Sequence, residues 1–224
     1  YGTLGNIYLS MGQCTRAVEY YEQAIIIHRE VGNMREEGIA LGNLGVLYSG
    51  QNAHERASEL YTQALQISRE LGDKLHEGIY LGNLGDTLYK LDRSEQAQAA
   101  LSEATQICDD AYPVAAGAFR GSLALLLAKQ DQLLKARVLL EIGESLVETT
   151  PIEHAKFLCK KGQIEIIGNQ AHSASTTLNR AQEIARDIGV TEHSELSKAI
   201  LELEELLHEH GTEGPLSGVA KTPA

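Results

Sequence analysis

An alanine returns along this chain at nearly constant intervals: Ala17, Ala57, Ala97, Ala136 and Ala174, at steps of 40, 40, 39 and 38 residues. A period of this length constrains the fold more than any other feature. Each period must be one supersecondary unit that buries its apolar face only against its neighbours. Four residues after each alanine stands a large side chain, Tyr21, Tyr61, Leu101, Leu140 or Leu178. Seven after it stands a small one, Ala24, Ala64, Ala104, Gly143 or Ala181. Offsets of 0, 4 and 7 share one face of an α-helix.

The stretch before each alanine repeats too. Twelve residues upstream lie Gly5, Gly45, Gly85, Ala124 and Gly162. One residue earlier lie Leu4, Leu44, Leu84 and Leu123, with Lys161 as the exception. Nine upstream lie Tyr8, Tyr48, Leu88 and Leu127, with Glu165 as the exception. Each unit therefore reads as two helices, A and B, joined by a short polar turn. Glycine inside a helix costs about 1 kcal/mol relative to alanine. Its recurrence in helix A implies that close helix approach outweighs that cost. Whole peptides recur as well: Leu41-Gly42-Asn43-Leu44-Gly45 returns as Leu81-Gly82-Asn83-Leu84-Gly85, and Arg29-Glu30-Val31-Gly32 as Arg69-Glu70-Leu71-Gly72.

The Leu-Gly and Tyr of helix A, with the Ala-Tyr-Ala of helix B, resemble the tetratricopeptide repeat. That family's usual period is shorter. The extra residues here fall between one helix B and the next helix A, around Arg69 to Gly78. This long variant is similar to the repeats of kinesin light chains, of Leu-Gly-Asn-rich modulators of G-protein signalling, and of the repeat tails of bacterial signalling proteins. The resemblance implies an all-α fold, a right-handed superhelical solenoid of antiparallel hairpins. It also implies a concave groove lined by the A helices that binds a protein or peptide.

Along the chain, residues 1–190 read as five such hairpins, the first entered part-way at Tyr1, with more chain expected upstream. Residues 191–210 read as a capping helix with an apolar stripe of Leu196, Ile200, Leu203, Leu206 and Leu207. Residues 211–224 carry Gly, Pro, Ser and Thr without periodicity and read as a flexible tail. Local chemistry places helix ends. Gly72-Asp73 offers a C′ glycine and an N-cap. Thr150-Pro151-Ile152-Glu153 reads as a capping box. Asn52 with Glu55, and Asp92 with Glu95, are weaker N-cap signals, and Pro113 marks the start of the fourth unit.

Composition removes several function classes. The net charge of −12 repels nucleic acid and anionic membranes alike. The longest purely apolar run, Leu123 to Ala128, is too short to cross a bilayer, and no signal peptide is visible. Cys14, Cys108 and Cys159 are scattered without a CxxC pair, which points to a reducing, cytoplasmic setting. His208 and His210 stand two apart on a helix and converge poorly on a metal. Gly42-Asn43-Leu44-Gly45 lacks the strand and the Lys-Ser/Thr of a phosphate loop. Neither a metal site, a cofactor nor a catalytic set is expected, so the chain reads as a non-enzyme.

Function then falls to the groove. Positions flanking the Leu-Gly pair supply Asn6, Asn43, Val46, Asn83, Asp86, Leu125, Lys160 and Gln163, and Tyr89 follows in the third unit. Asparagine offers both a donor and an acceptor and suits the main chain of an extended peptide. The first four units lack the basic residue that a carboxylate clamp needs. The expectation is an interaction scaffold within a larger signalling protein. The alternative is an array acting in cis on a linked enzyme, or self-associating through its uncapped N-terminal end.

Overall fold

The computed structural model describes residues 1–109, 111–191 and 194–212. Among these, eleven helices and no strand appear: α1 Gly2–Ser10, α2 Cys14–Glu30, α3 Met34–Gly50, α4 His54–Leu71, α5 Lys74–Lys90, α6 Ser94–Cys108, α7 Pro113–Lys129, α8 Leu133–Val147, α9 Pro151–Ile167, α10 Ala171–Asp187 and α11 Glu195–Thr212. Consecutive helices pack as antiparallel hairpins. The odd-numbered helices also touch one another, α3 on α5, α5 on α7 and α7 on α9, forming an inner layer. The stretch expected to be a flexible tail lies outside the described residues apart from 211 and 212, which belong to α11.

Two columns of glycine set how closely the helices approach. The first joins the two helices of a hairpin: a methyl group built on Gly45 would sit 2.8 Å from the ring of Tyr61, and one on Gly85 would sit 2.7 Å from Leu101. The second joins successive A helices. Gly42 receives the ring of Tyr80, Gly82 that of Phe119 and Gly121 that of Phe157, all closer than a real Cβ could tolerate. The anchor alanines 17, 57, 97, 136 and 174 are fully buried at the same seams. A ridge of small residues against large rings fills the interior at normal packing density.

The A–B turns show a feature that cap reasoning misread. Asn52 and Asp92 are not N-caps; both are left-handed, as are Gly12, Asp131 and Asn169 at the equivalent positions, with φ between 56° and 71°. The N-caps are the next residues, Ala53 and Arg93. Asn, Asp and Gly are the residue types that tolerate this conformation. The following N–H then reaches back to the last turn of helix A, as Ala53 N does to Tyr48 O at 2.9 Å and Arg93 N to Leu88 O at 2.9 Å. Glu55, expected in a cap, instead pairs with Arg93 of the next unit at 2.9 Å.

Between units the cap reasoning holds at Gly72-Asp73: Gly72 is left-handed and the Asp73 carboxylate accepts from His76 N at 3.3 Å. It fails at Thr150, which is the N-cap of α9 but makes no side-chain cap bond. Pro151 removes one donor there, and Glu153 turns to Lys156 at 3.4 Å. An Arg–Glu pair ties helix B to the next helix A twice in register, Arg29 to Glu37 at 2.6 Å and Arg69 to Glu77 at 3.2 Å. Glu77 is buried and Lys74 also reaches it. Burial pushes its carboxyl pKa up, but hydrogen bonds from Lys74 and Arg69 outweigh that and hold it below the usual range.

The last helix closes the stack. Leu196, Ile200 and Leu203 of α11 are buried against α9 and α10, and Leu203 packs onto Gly162. Burying a leucine of this kind stabilises by about 1.5–3 kcal/mol. At the other end Leu4 and Ile7 of α1, and Met11 just after it, are exposed, whereas Leu44, one period on from Leu4, is buried.

Candidate functional site

Curvature of the stack leaves one large concavity of about 1020 Å³ on the inner-helix side. Its wall comes from the C-terminal half of α3, from His54 and Tyr61 of α4, from α5, α7 and α9, and from the first two turns of α11. A smaller hollow of about 400 Å³ lies between α10 and α11 at Gln182 and Ile200.

Seven of the nine residues singled out from the sequence line the large groove: Val46, Asn83, Asp86, Tyr89, Leu125, Lys160 and Gln163. Asn6 and Asn43 do not. The Tyr21 hydroxyl donates to Asn6 Oδ1 at 2.6 Å, and Asn43 Nδ2 donates to the same oxygen at 3.3 Å. Although the two asparagines occupy different positions in their repeats, the stacking of α3 on the first hairpin brings them together.

Several groove residues belong to an internal network. The Lys160 ammonium donates to Ser122 Oγ and stands 3.9 Å from Asp86, so it ties α9 to α7 and α5. Lys156 meets Glu153 at 3.4 Å and Glu195 at 3.1 Å, joining α9 to α11. Burial disfavours its charge, but the two carboxylates outweigh that and raise its pKa. Lys129 lies 5.0 Å from the centre of the Tyr89 ring. Lys198 of α11 donates to the Gly50 carbonyl of α3 at 3.3 Å, a contact across 148 positions of sequence.

Other groove residues have polar groups that make no hydrogen bond among the described residues. Tyr61 is 2% exposed and Gln163 7%, and both line the groove; what remains open includes the Tyr61 hydroxyl and the Gln163 amide, neither of which has a protein partner. Asn83, half-buried beside them, likewise makes no side-chain bond. Burial raises the Tyr61 pKa, with Glu195 and Asp86 adding to the effect, so the phenol stays protonated and is a donor. The cause is visible by comparing units: Tyr21 has Asn6 as acceptor, but the equivalent neighbour of Tyr61 is Val46, which has none. That substitution was legible in the sequence at a spacing of 15 and was missed because Tyr61 read as packing alone. Lys129, the last residue of α7, was missed as well, and so were the α11 residues Glu195, Lys198 and Glu202, because a capping helix was not expected to reach the groove.

Cys159 also lines the groove but is 1% exposed. Burial pushes its thiol up to about 12, with Glu202 contributing, which makes it a packing residue and not a nucleophile. Among the described residues no group of His, Cys, Asp and Glu could hold a metal, and no helix is long and apolar enough to cross a membrane.

The tetratricopeptide repeat profile matches residues 1–70 and 54–110. No curated protein matches the sequence as a relative. Among solved structures, the Rap conjugation gene regulator of plasmid pLS20, in complex with the Phr* peptide, is similar with a TM-score of 0.75 at 17% identity; the match covers 94% of this chain and 57% of that one. BtubC (BKLC) from P. vanneervenii gives 0.66 at 18% identity, covering 84% and 79%. A putative kinesin light chain of Podospora anserina with tetratricopeptide-like repeats gives 0.62 at 17%, covering 85% and 95%. At such identities the likeness speaks for the fold, the right-handed solenoid of helical hairpins expected from the repeat. With its period, its two-helix unit, its matched profile over residues 1–110 and its solenoid all in agreement, the chain carries tetratricopeptide repeats and has the fold of that family.

Proposed function

We propose that this chain is a protein-interaction scaffold that holds an extended peptide segment of a partner in the groove, acting by binding and not by catalysis. One observation carries the reading: Tyr61 and Gln163, otherwise well covered, line the groove and turn toward it polar groups that have no partner among the described residues. A ligand that covers these groups must also pair them, because a donor or acceptor buried without a partner costs about 1–3 kcal/mol, and the main chain of an extended peptide offers both. Asn83 extends the same set, and Val46 and Leu125 supply apolar contact. Asn6 and Asn43 stand outside the cavity. The similar Rap regulator was solved with a peptide, which supports the same use of the fold.

The test is selection of a phage-displayed library of random 12-residue peptides on the protein, repeated on Asn83→Ala/Gln163→Leu. Peptides enriched on the parent should lose most of their affinity for the variant, with circular dichroism and melting unchanged. Equal binding to both proteins, or no enrichment on the parent, refutes the reading. A second reading, self-assembly, is favoured by the exposed Leu4 and Ile7 of α1 and Met11 at its end. A sedimentation coefficient that stays at the monomer value up to high concentration would dismiss it.

A further inference from the structure

The groove is charged differently from the rest of the molecule. Five of the nine lysines in the chain line it, Lys90, Lys129, Lys156, Lys160 and Lys198, and none of the ten arginines does. Against them stand four carboxylates, giving a local +1 within a chain of −12. The pairing is more one-sided than the count. Lys156 and Lys160 meet Glu153, Glu195 and Asp86. Lys90, Lys129 and Lys198 have no carboxylate within 4.0 Å among the described residues, and of the acids only Glu202 is left over.

The three unpaired ammonium groups are also ordered. Lys90 is the last residue of α5 and Lys129 the last of α7. Lys198 reaches from α11 to the carbonyl of Gly50, the last residue of α3. One cation thus stands at the C-terminal end of each of three successive inner helices. Lysine at a helix C-terminus is favoured by the macrodipole, which accounts for Lys90 and Lys129. It does not account for Lys198, which comes from another helix and completes the row.

We propose that the partner segment is acidic and runs along this row, with carboxylates about every third residue, and that α11 is part of the binding site. The proposal rests on the peptide-binding reading of the same groove. The spacing follows from helix geometry: packed axes lie about 8–10 Å apart, and a polyproline-II segment brings every third side chain to the same side at about 9 Å. The ligand carboxylates replace the weak acceptors that Lys129 and Lys198 now have, the Tyr89 ring and the Gly50 carbonyl. Tyr61 and Gln163 hold the main chain between them.

The same 12-residue random library tests this by composition. Pools from the parent protein should be enriched in Asp and Glu spaced three apart. Lys90→Ala/Lys129→Ala and, separately, Lys198→Ala should each lose that enrichment, while Lys135→Ala on the outer helix α8 keeps it. A synthetic peptide from the acidic pool should bind the double variant at least about tenfold more weakly, as two exposed ion pairs imply. Enrichment of neutral or basic peptides, or acidic pools unchanged in the lysine variants, overturns the proposal while leaving peptide binding intact. No enrichment on any of the proteins overturns both.

Discussion

Replacing Gly82 with alanine sets two effects against each other, and the structure decides between them. In an exposed helix interior the change would gain about 1 kcal/mol of helix propensity. Here the new Cβ would lie 2.0 Å from Phe119 Cε1, 2.1 Å from Cζ and 2.4 Å from Cδ1. Carbon atoms in contact sit about 3.5–4 Å apart, so the ring must retreat by roughly 1.5 Å. Phe119 is buried between α5 and α7, and its one open side is the groove. Overpacking of this kind costs about 1–3 kcal/mol, and the upper end applies because three ring atoms are engaged. The net expectation is destabilisation of about 2 kcal/mol, a melting drop of about 4–8 °C for a chain of this size. Nearest-neighbour coupling in a solenoid should confine lost hydrogen-exchange protection to α5 and α7. Gly2→Ala serves as the control: it occupies the same column, but its partner position holds Ala40, and nothing lies within 4 Å. It should be neutral or stabilising by up to about 0.5 kcal/mol. Thermal denaturation in a Phe119→Leu background completes the cycle, because the smaller side chain should absorb most of the penalty. A Gly82→Ala protein that melts higher than its parent, or a double variant whose effects simply add, would refute the close-packing account.

Acid should also find the Glu77 network. Its folded pKa is depressed, so its contribution to stability is complete above the unfolded value of about 4.3 and fades as pH falls through the lower folded value. The parent should therefore lose melting temperature between about pH 5 and pH 3 more steeply than Glu77→Gln, and parallel acid limbs would contradict this. Thiol labelling should be graded: half-buried Cys14 reacts first at pH 8, whereas buried Cys108 and Cys159 wait for unfolding. Rapid labelling of Cys159 in the folded protein, followed by mass spectrometry, would show that its surroundings are open.

The repeating unit can be read directly from residue spacing, because that unit is made by short-range rules. Helix A and helix B follow from offsets of 4 and 7 around one alanine, and their close contact follows from Gly45 opposite Tyr61 and Gly85 opposite Leu101. The inner surface could be named from the same register, which is why Val46, Asn83, Asp86 and Gln163 were legible as groove residues. Even the left-handed turn at Asn52, Asp92, Asp131 and Asn169 is written in residue type, although it reads like a helix cap until the backbone is seen. What faces the groove from its far side emerges only when the hairpins are stacked. The return of α11 toward α3, with Lys198 at the Gly50 carbonyl, results from small rotations added over several hairpins. No spacing within a single unit encodes that sum. The same accumulation set three lysines in a row. A repeat period dictates how neighbours pack; where distant units meet depends on every neighbour between them.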